Sequence, residues 1–234
     1  MRDNADPQGQ LKQQAAQYAV EFVRSGMIIG LGSGSTVRFA LELIGHRITA
    51  GRLTDVLGIA SSMQTGQLAE SFGIPLTDLD WHPRIDMVLD GADEVDPHLN
   101  LIKGGGGALL REKILAQASR RNVIIVDETK LSLQLGTHCR LPVEVIPFAL
   151  KPESEFIESE LGAQVTIRKT ADDKRVLTDQ GNVILDCRFG SISRPDKLAS
   201  MLDQRAGIVG HGLFLNLASE VIVGGVNGPG HLKR

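Results

Sequence analysis

Met27-Ile28-Ile29-Gly30-Leu31-Gly32-Ser33-Gly34-Ser35-Thr36 is the stretch on which the reading of this chain turns. Its first five residues form the short apolar run of a strand buried on both faces, and the run ends in a loop of small polar residues. Val37, Ala40, Leu41 and Ile44 then recur at helical spacing. A strand, a tight loop and an amphipathic helix in that order predict one step of a parallel α/β sheet.

The same step repeats outward in both directions. Upstream, Leu11, Ala15, Ala19, Phe22 and Val23 mark a helix that Gly26 ends. Downstream, apolar runs at 56–60, 85–89 and 123–126 read as strands, and helices through Leu68 and Leu110 separate them. Ile74-Pro75-Leu76 reads as an edge strand, since Pro75 has no N–H for a ladder. Four of the strands end in polar clusters: 32–36, Ser61-Ser62, 90–94 and 127–130. Ligands of parallel sheets bind beyond the carboxyl ends of strands, so these clusters mark the candidate site.

After about Gly136 the pattern changes to strand, helix, two strands, helix, strand. Segments 141–146, 163–169, 176–178, 183–186 and 208–209 read as strands, and 153–161 and 195–205 as helices. Asp179-Gln180-Gly181-Asn182 carries a hairpin signal. The order suggests a ferredoxin-like unit, and the apolar segment 220–224 reads as a return to the first sheet. The expected fold class is therefore α/β, a Rossmann-like, mostly parallel sheet domain with an inserted or appended ferredoxin-like α+β domain. The expected domains are 1–136 plus 213–234, and 137–212.

Composition excludes several classes. The 234 residues carry a net charge of −3 with dispersed basic residues, which argues against a nucleic-acid footprint. No apolar run approaches membrane-spanning length. Residues 1–7 read as a polar lead-in without the apolar region of a signal peptide. Cys139 and Cys187 fit no metal spacing and suit a reducing compartment, and the six histidines show no ligand pairing. The expectation is a cytoplasmic protein without cofactor or metal, binding neither nucleic acid nor membrane. The glycine loop is not a P-loop, because no Gly-Lys-Ser/Thr follows it. It is also a poor dinucleotide fingerprint, with Ser35 or Val37 where the third glycine belongs.

The chemistry concentrates in two segments, Asp90-Gly91-Ala92-Asp93-Glu94 and Lys103-Gly104-Gly105-Gly106-Gly107. Ser33, Gly34, Ser35 and Thr36 offer amides and hydroxyls at a helix start, where phosphate is the natural guest or where a serine simply caps the helix. The acidic group suits proton transfer or a solvated turn, and Asp90, closing a strand, belongs at the inner edge of a cleft. Lys103 and the glycine amides suit an oxyanion, or the glycines form a flexible loop. Glu112 reads as a general base or as a glutamate favoured by the helix dipole. Lys130 reads as a phosphate anchor or a surface lysine.

Together 30–36, 90–94, 103–113 and 126–130 resemble type A ribose-5-phosphate isomerases, and 141–147 and 179–186 resemble that family's second domain. The resemblance covers all but roughly the first nine residues. It implies metal-independent interconversion of D-ribose 5-phosphate and D-ribulose 5-phosphate in the pentose phosphate pathway. It assigns the general base to Glu112 and other active-site roles to Asp90, Asp93 and Lys103. It assigns substrate binding to 33–36, to Gly91 and Ala92, to Gly104, Gly105 and Gly106, and to Lys130 and Lys12. A homodimer or homotetramer is the family expectation. The mechanism that follows is an enediolate formed when Glu112 removes the C2 proton. A deaminase/isomerase of amino-sugar phosphates and a coenzyme A transferase are rivals of similar fold. A sugar-phosphate sensor would call for a helix-turn-helix, and the sequence shows none.

Overall fold

Strands Glu220–Gly224, Asn122–Asp127, Met87–Asp90, Ile28–Leu31 and Leu57–Ala60 lie side by side in that order, all parallel. Gly230–Lys233 adds an antiparallel edge next to Glu220–Gly224. This is a computed structural model that describes residues 6–234. Of the expected polar lead-in, residues 1–5 lie outside the described ones, while the Asp6 carboxylate caps helix Pro7–Val20 by accepting from Gln8 N–H.

Burial on both faces explains why these strands are near-continuous apolar runs. On one face Ile29, Leu31, Met87, Leu89, Val123 and Ile125 pack with Ala15, Ala16 and Ala19 of Pro7–Val20 and with Val37, Leu41 and Ile44 of helix Ser35–Thr49. On the other, Ile59, Ile85 and Val88 pack with Leu115 of helix Leu109–Ala118. From Ile28–Leu31 the chain moves to Leu57–Ala60 on one side and then to Met87–Asp90 on the other. The order therefore reverses between Ile28–Leu31 and Met87–Asp90, and the crevice at such a switch point is where ligands of open α/β sheets bind.

Contacts divide the chain into two units. One comprises the residues up to Ala92 with Arg111–Lys130 and Leu217–Arg234; the other comprises Asp93–Leu110 and Leu131–Asn216. Asp93–Leu110 thus groups with the second unit, whereas the sequence reading had it in the first. The reason is a three-stranded antiparallel sheet that pairs Leu101–Ile102 with both Glu94–Val95 and Leu213–Phe214. Strands of two residues have no readable period, so this sheet was not anticipated.

The second unit also holds a four-stranded antiparallel sheet in the order Ile208–His211, Leu141–Val145, Val183–Arg188, Gln164–Ile167. With helices Leu150–Ser159 and Pro195–Asp203 it completes the ferredoxin-like βαββαβ pattern. Leu141, Val143, Val145, Val183, Leu185 and Cys187 pack with Ile157 and Leu202 of the helices. Strand alternation puts Glu144, Thr166 and Asp186 on the opposite face. Residues 176–178, expected as a strand, contribute only the bridge of Leu177 to Val183. Ile74-Pro75-Leu76 likewise reduces to one bridge, Leu76 to Gly58.

Candidate active site

In the first unit the carboxyl ends of two adjacent strands bring Ser33 and Asp90 together. Asp90, 2% exposed, accepts hydrogen bonds at Oδ1 from the N–H groups of Ser33 (3.2 Å) and Gly91 (2.8 Å). A Cβ on Gly32 would lie 2.1 Å from that oxygen, so only glycine permits the approach. The Ser33 hydroxyl donates to Glu112 Oε1 at 2.5 Å. Glu112 stands in the first turn of Leu109–Ala118 and is 3% exposed. Three residues far apart in sequence thus meet in one small polar cluster.

The loop continues into helix Ser35–Thr49, whose N-cap Gly34 provides no side-chain cap. The first amides of a helix have no intrahelical partner, and among the described residues no side chain at the N-cap takes them up. Thr65 hardens this loop from behind, since its hydroxyl donates to the Gly32 carbonyl at 3.1 Å. Sequence reasoning did not single out Thr65, which sits in the first turn of helix Met63–Ser71 beneath the Ser62 cap. Lys130 ends the short 3₁₀ turn after Asn122–Asp127, and Asp127 fixes that turn by accepting from Thr129 N–H at 3.1 Å. Lys12 lies on Pro7–Val20. The side chains of Lys12 and Lys130 are half-buried and make no hydrogen bond among the described residues.

In the second unit a hairpin explains the spacing between the acidic and glycine motifs. Glu94 pairs with Ile102 and Val95 with Leu101, and Asp93 N–H donates to the Ile102 carbonyl at 2.8 Å. Asp93 and Lys103 therefore flank the open end of one ladder. Lys103 is 3% exposed, with its ammonium 5.5 Å from the Phe214 ring centroid. The Asp93 carboxylate accepts from Gly105 N–H at 2.8 Å through Oδ2.

The four carboxylates of 90–96 do different work. Glu94 is fully buried and accepts from four successive amides: Gly136 (2.9 Å), Thr137 (3.1 Å), His138 (3.2 Å) and Cys139 (3.3 Å). Asp96 closes the hairpin turn by accepting from His98 and Asn100 N–H. Asp90 and Asp93 also accept from backbone amides, but from those of Ser33 and Gly91 in one unit and of Gly105 in the other, which lie in the glycine-bearing motifs. Among the described residues no group of three His, Cys, Asp or Glu is arranged to hold a metal, and no helix is long and apolar enough to cross a membrane.

The family model for ribose 5-phosphate isomerase A (phosphoriboisomerase A) matches residues 57–228. A ribose-5-phosphate isomerase A of Desulfatibacillum aliphaticivorans is 54% identical, over 97% of this chain and 98% of its own length. That of Chloroflexus aurantiacus is 51% identical, over 94% and 92%. A solved D-ribose-5-phosphate isomerase in complex with phospho-erythronic acid superposes with a TM-score of 0.94 at 39% identity, over 96% of this chain and 98% of that one. The ribose 5-phosphate isomerase A structure from Methanocaldococcus jannaschii gives 0.91 at 39% identity, over 96% and 99%. With its α/β fold and its matching motifs, the chain belongs to the ribose 5-phosphate isomerase A family, aldose–ketose isomerases of ribose 5-phosphate.

Proposed function

We propose that the chain interconverts D-ribose 5-phosphate and D-ribulose 5-phosphate through an enediolate, with Glu112 as the general base. Glu112 takes the C2 proton of the open-chain aldose, and the C1 carbonyl oxygen takes up the negative charge. The same carboxyl returns the proton at C1. The O2 hydroxyl gives up its proton, O1 gains one, and the ketose results. Positioned acid–base groups of this kind contribute about 10²–10⁴-fold.

The observation that carries this reading is the buried Glu112 carboxylate, held by the Ser33 hydroxyl at 2.5 Å next to the Asp90 loop. The Ser33 hydroxyl fixes the direction of this buried carboxylate. Lys103 and the amides of Gly104, Gly105 and Gly106 stabilise the developing oxyanion. Asp90 and Asp93 serve ring opening and the hydroxyl protons. Asp93 is half-buried, and its Oδ1 makes no hydrogen bond among the described residues. Ser33, Gly34, Ser35 and Thr36, with Lys130 and Lys12, hold the phosphate, and Gly91 and Ala92 line the sugar. The uncapped start of Ser35–Thr49 supports the phosphate assignment. The solved relative carrying phospho-erythronic acid fits a site for phosphorylated sugar acids and sugars. The same reading takes the enzyme as metal-independent, cytoplasmic and homo-oligomeric, and places it in the pentose phosphate pathway.

The test is turnover of ribose 5-phosphate by EDTA-treated protein, with Glu112→Gln alongside. Wild-type activity and a loss of about 10²–10⁴-fold in the variant are expected, with ribose 5-phosphate binding retained. Near-normal turnover in the variant would remove Glu112 from the base role.

A further inference from the structure

Arg168 follows strand Gln164–Ile167 and shares no motif with the glycine loop, yet its guanidinium bonds to two residues of it. Nη1 donates to the carbonyls of Gly104 (2.8 Å) and Gly105 (3.0 Å). Nε donates to Asp186 Oδ2 at 2.9 Å, and Nη2 donates to Asp186 Oδ1. The pair is mostly buried, with 16% and 18% of the two side chains exposed. A salt bridge that only joined two strands would spend its donors on the partner carboxylate. Here half of the contacts go to loop carbonyls 64 and 63 residues away.

Peptide geometry turns those contacts into a constraint on direction. In a trans peptide the C=O and N–H point to opposite sides, and no peptide of the described chain is cis. The Gly104–Gly105 peptide is held at both ends, with its oxygen on Arg168 and its N–H on Asp93 Oδ2 at 2.8 Å. The next peptide has its Gly105 oxygen on Arg168, so the Gly106 N–H points away from the guanidinium. Gly106 is exposed, and its N–H makes no hydrogen bond among the described residues. Arg168 therefore fixes the direction of a donor that no other described residue uses.

We propose that Arg168, braced by Asp186, is a positioning residue that aims the Gly106 N–H at the oxyanion formed during isomerisation. This rests on the oxyanion role of the glycine loop given above. Asp186 aligns the guanidinium and offsets its charge, so the loop gains a rigid double donor without an unbalanced cation. The function of the bridge is then to keep one amide preorganised, which is how fixed dipoles stabilise charge that appears only in the transition state.

The experiment compares wild type, Arg168→Met, Arg168→Lys and Asp186→Asn. It reads kcat, KM for ribose 5-phosphate, the inhibition constant of phospho-erythronic acid and the melting temperature. Phospho-erythronic acid is the informative probe because its carboxylate shares charge over two oxygens, as the enediolate does. In Arg168→Met, kcat should fall about 10–100-fold, below the roughly 10²–10³ typical of deleting an oxyanion donor outright. KM should stay within about threefold, while inhibition by phospho-erythronic acid weakens in step with kcat. Arg168→Lys keeps the charge and places its donors on one nitrogen without the planar fork, and should recover part of the loss. Asp186→Asn keeps one acceptor oxygen and should lose roughly three- to tenfold in kcat. It also serves if Arg168→Met fails to fold. Wild-type kcat in Arg168→Met, or a kcat loss with unchanged inhibition, would overturn the inference alone. An inactive wild type would overturn the isomerase reading and this inference with it.

Discussion

Replacing Glu94 with glutamine tests whether a carboxylate inside the acidic cluster serves the fold rather than the chemistry. The change is isosteric, so packing is preserved and only hydrogen bonding is altered. Each oxygen of Glu94 accepts two amides: Oε1 from Thr137 and His138, Oε2 from Gly136 and Cys139. The glutamine amide nitrogen must replace one oxygen and would then face two N–H donors. Two charge-assisted bonds are lost, each worth about 1.5–3 kcal/mol, so the expected cost is about 3–6 kcal/mol. Bulk water does not relieve the mismatch, because Glu94 is fully buried. For a chain of this size that loss lowers the melting temperature by about 10–20 °C. Calorimetry and urea unfolding read the stability, and turnover at a temperature where the variant is folded reads the chemistry. The expected result is a large stability loss with kcat within about threefold of wild type. A melting temperature within about 2 °C of wild type would refute the anchoring argument. A kcat loss of about 10²-fold in fully folded protein would give Glu94 a part in the chemistry.

Two further outcomes follow from the same geometry. Gly32→Ala places a methyl 2.1 Å from Asp90 Oδ1 and 2.6 Å from its Cβ. Asp90 must move or the two strands must part, at about 1–3 kcal/mol or more in stability. Turnover should fall about 10²-fold, because Asp90 and Ser33 shift together. Wild-type turnover in this variant would show that the loop tolerates spreading. At acid pH the buried Glu220 matters. Burial pushes its carboxyl up, but hydrogen bonds and charge from Arg121 and His231 outweigh this and hold it below the usual carboxylate range. A depressed pKa stabilises the fold above the unfolded value, near 4.3, and that contribution disappears as pH falls through the folded value. Urea midpoints from pH 6 down to pH 3 should therefore decline less steeply in Glu220→Gln than in wild type. Parallel curves would mean that the cluster does not favour the ionised form.

How much of this was legible depended on whether a residue's role follows from its neighbours in sequence. The strand and loop at 27–36 were readable because a parallel strand buried on both faces is an apolar run, followed here by small polar residues; the close approach of Asp90 to Gly32 appears only in the fold. The edge strand Gly230–Lys233 was missed, since Gly-His-Leu-Lys lacks a run or an alternation. The hairpin of Glu94–Val95 and Leu101–Ile102 was missed because two residues cannot show a period. Within the acidic cluster, composition cannot tell Asp93 from Glu94: adjacent residues on a strand point to opposite sides. One carboxylate therefore meets the glycine loop, and its neighbour the amides of 136–139. Glu112 was readable as a first-turn glutamate, but its contact with Ser33 spans 79 residues and appears only in the fold.

Within each unit the hydrogen bonds of the motif residues share one design, in which charged side chains are spent on orienting backbone. Asp90 holds two amides, Asp93 one, Glu94 four and Arg168 two carbonyls. A run of four glycines has no side chains with which to define its own conformation, and its intrinsic freedom is large. Such a loop makes an effective donor array only if something else removes that freedom before substrate arrives. Charges on both ends of the Gly104–Gly105 peptide do so with rigid, strongly directional bonds. Glycine is then the residue type that permits both the close approach of Asp93, whose Oδ1 lies 2.8 Å from where a Cβ of Gly105 would stand, and an unobstructed Gly106 amide. Flexibility in the sequence and rigidity in the folded loop are thus compatible, because the constraint resides in Asp93, Arg168 and Asp186 rather than in the glycines.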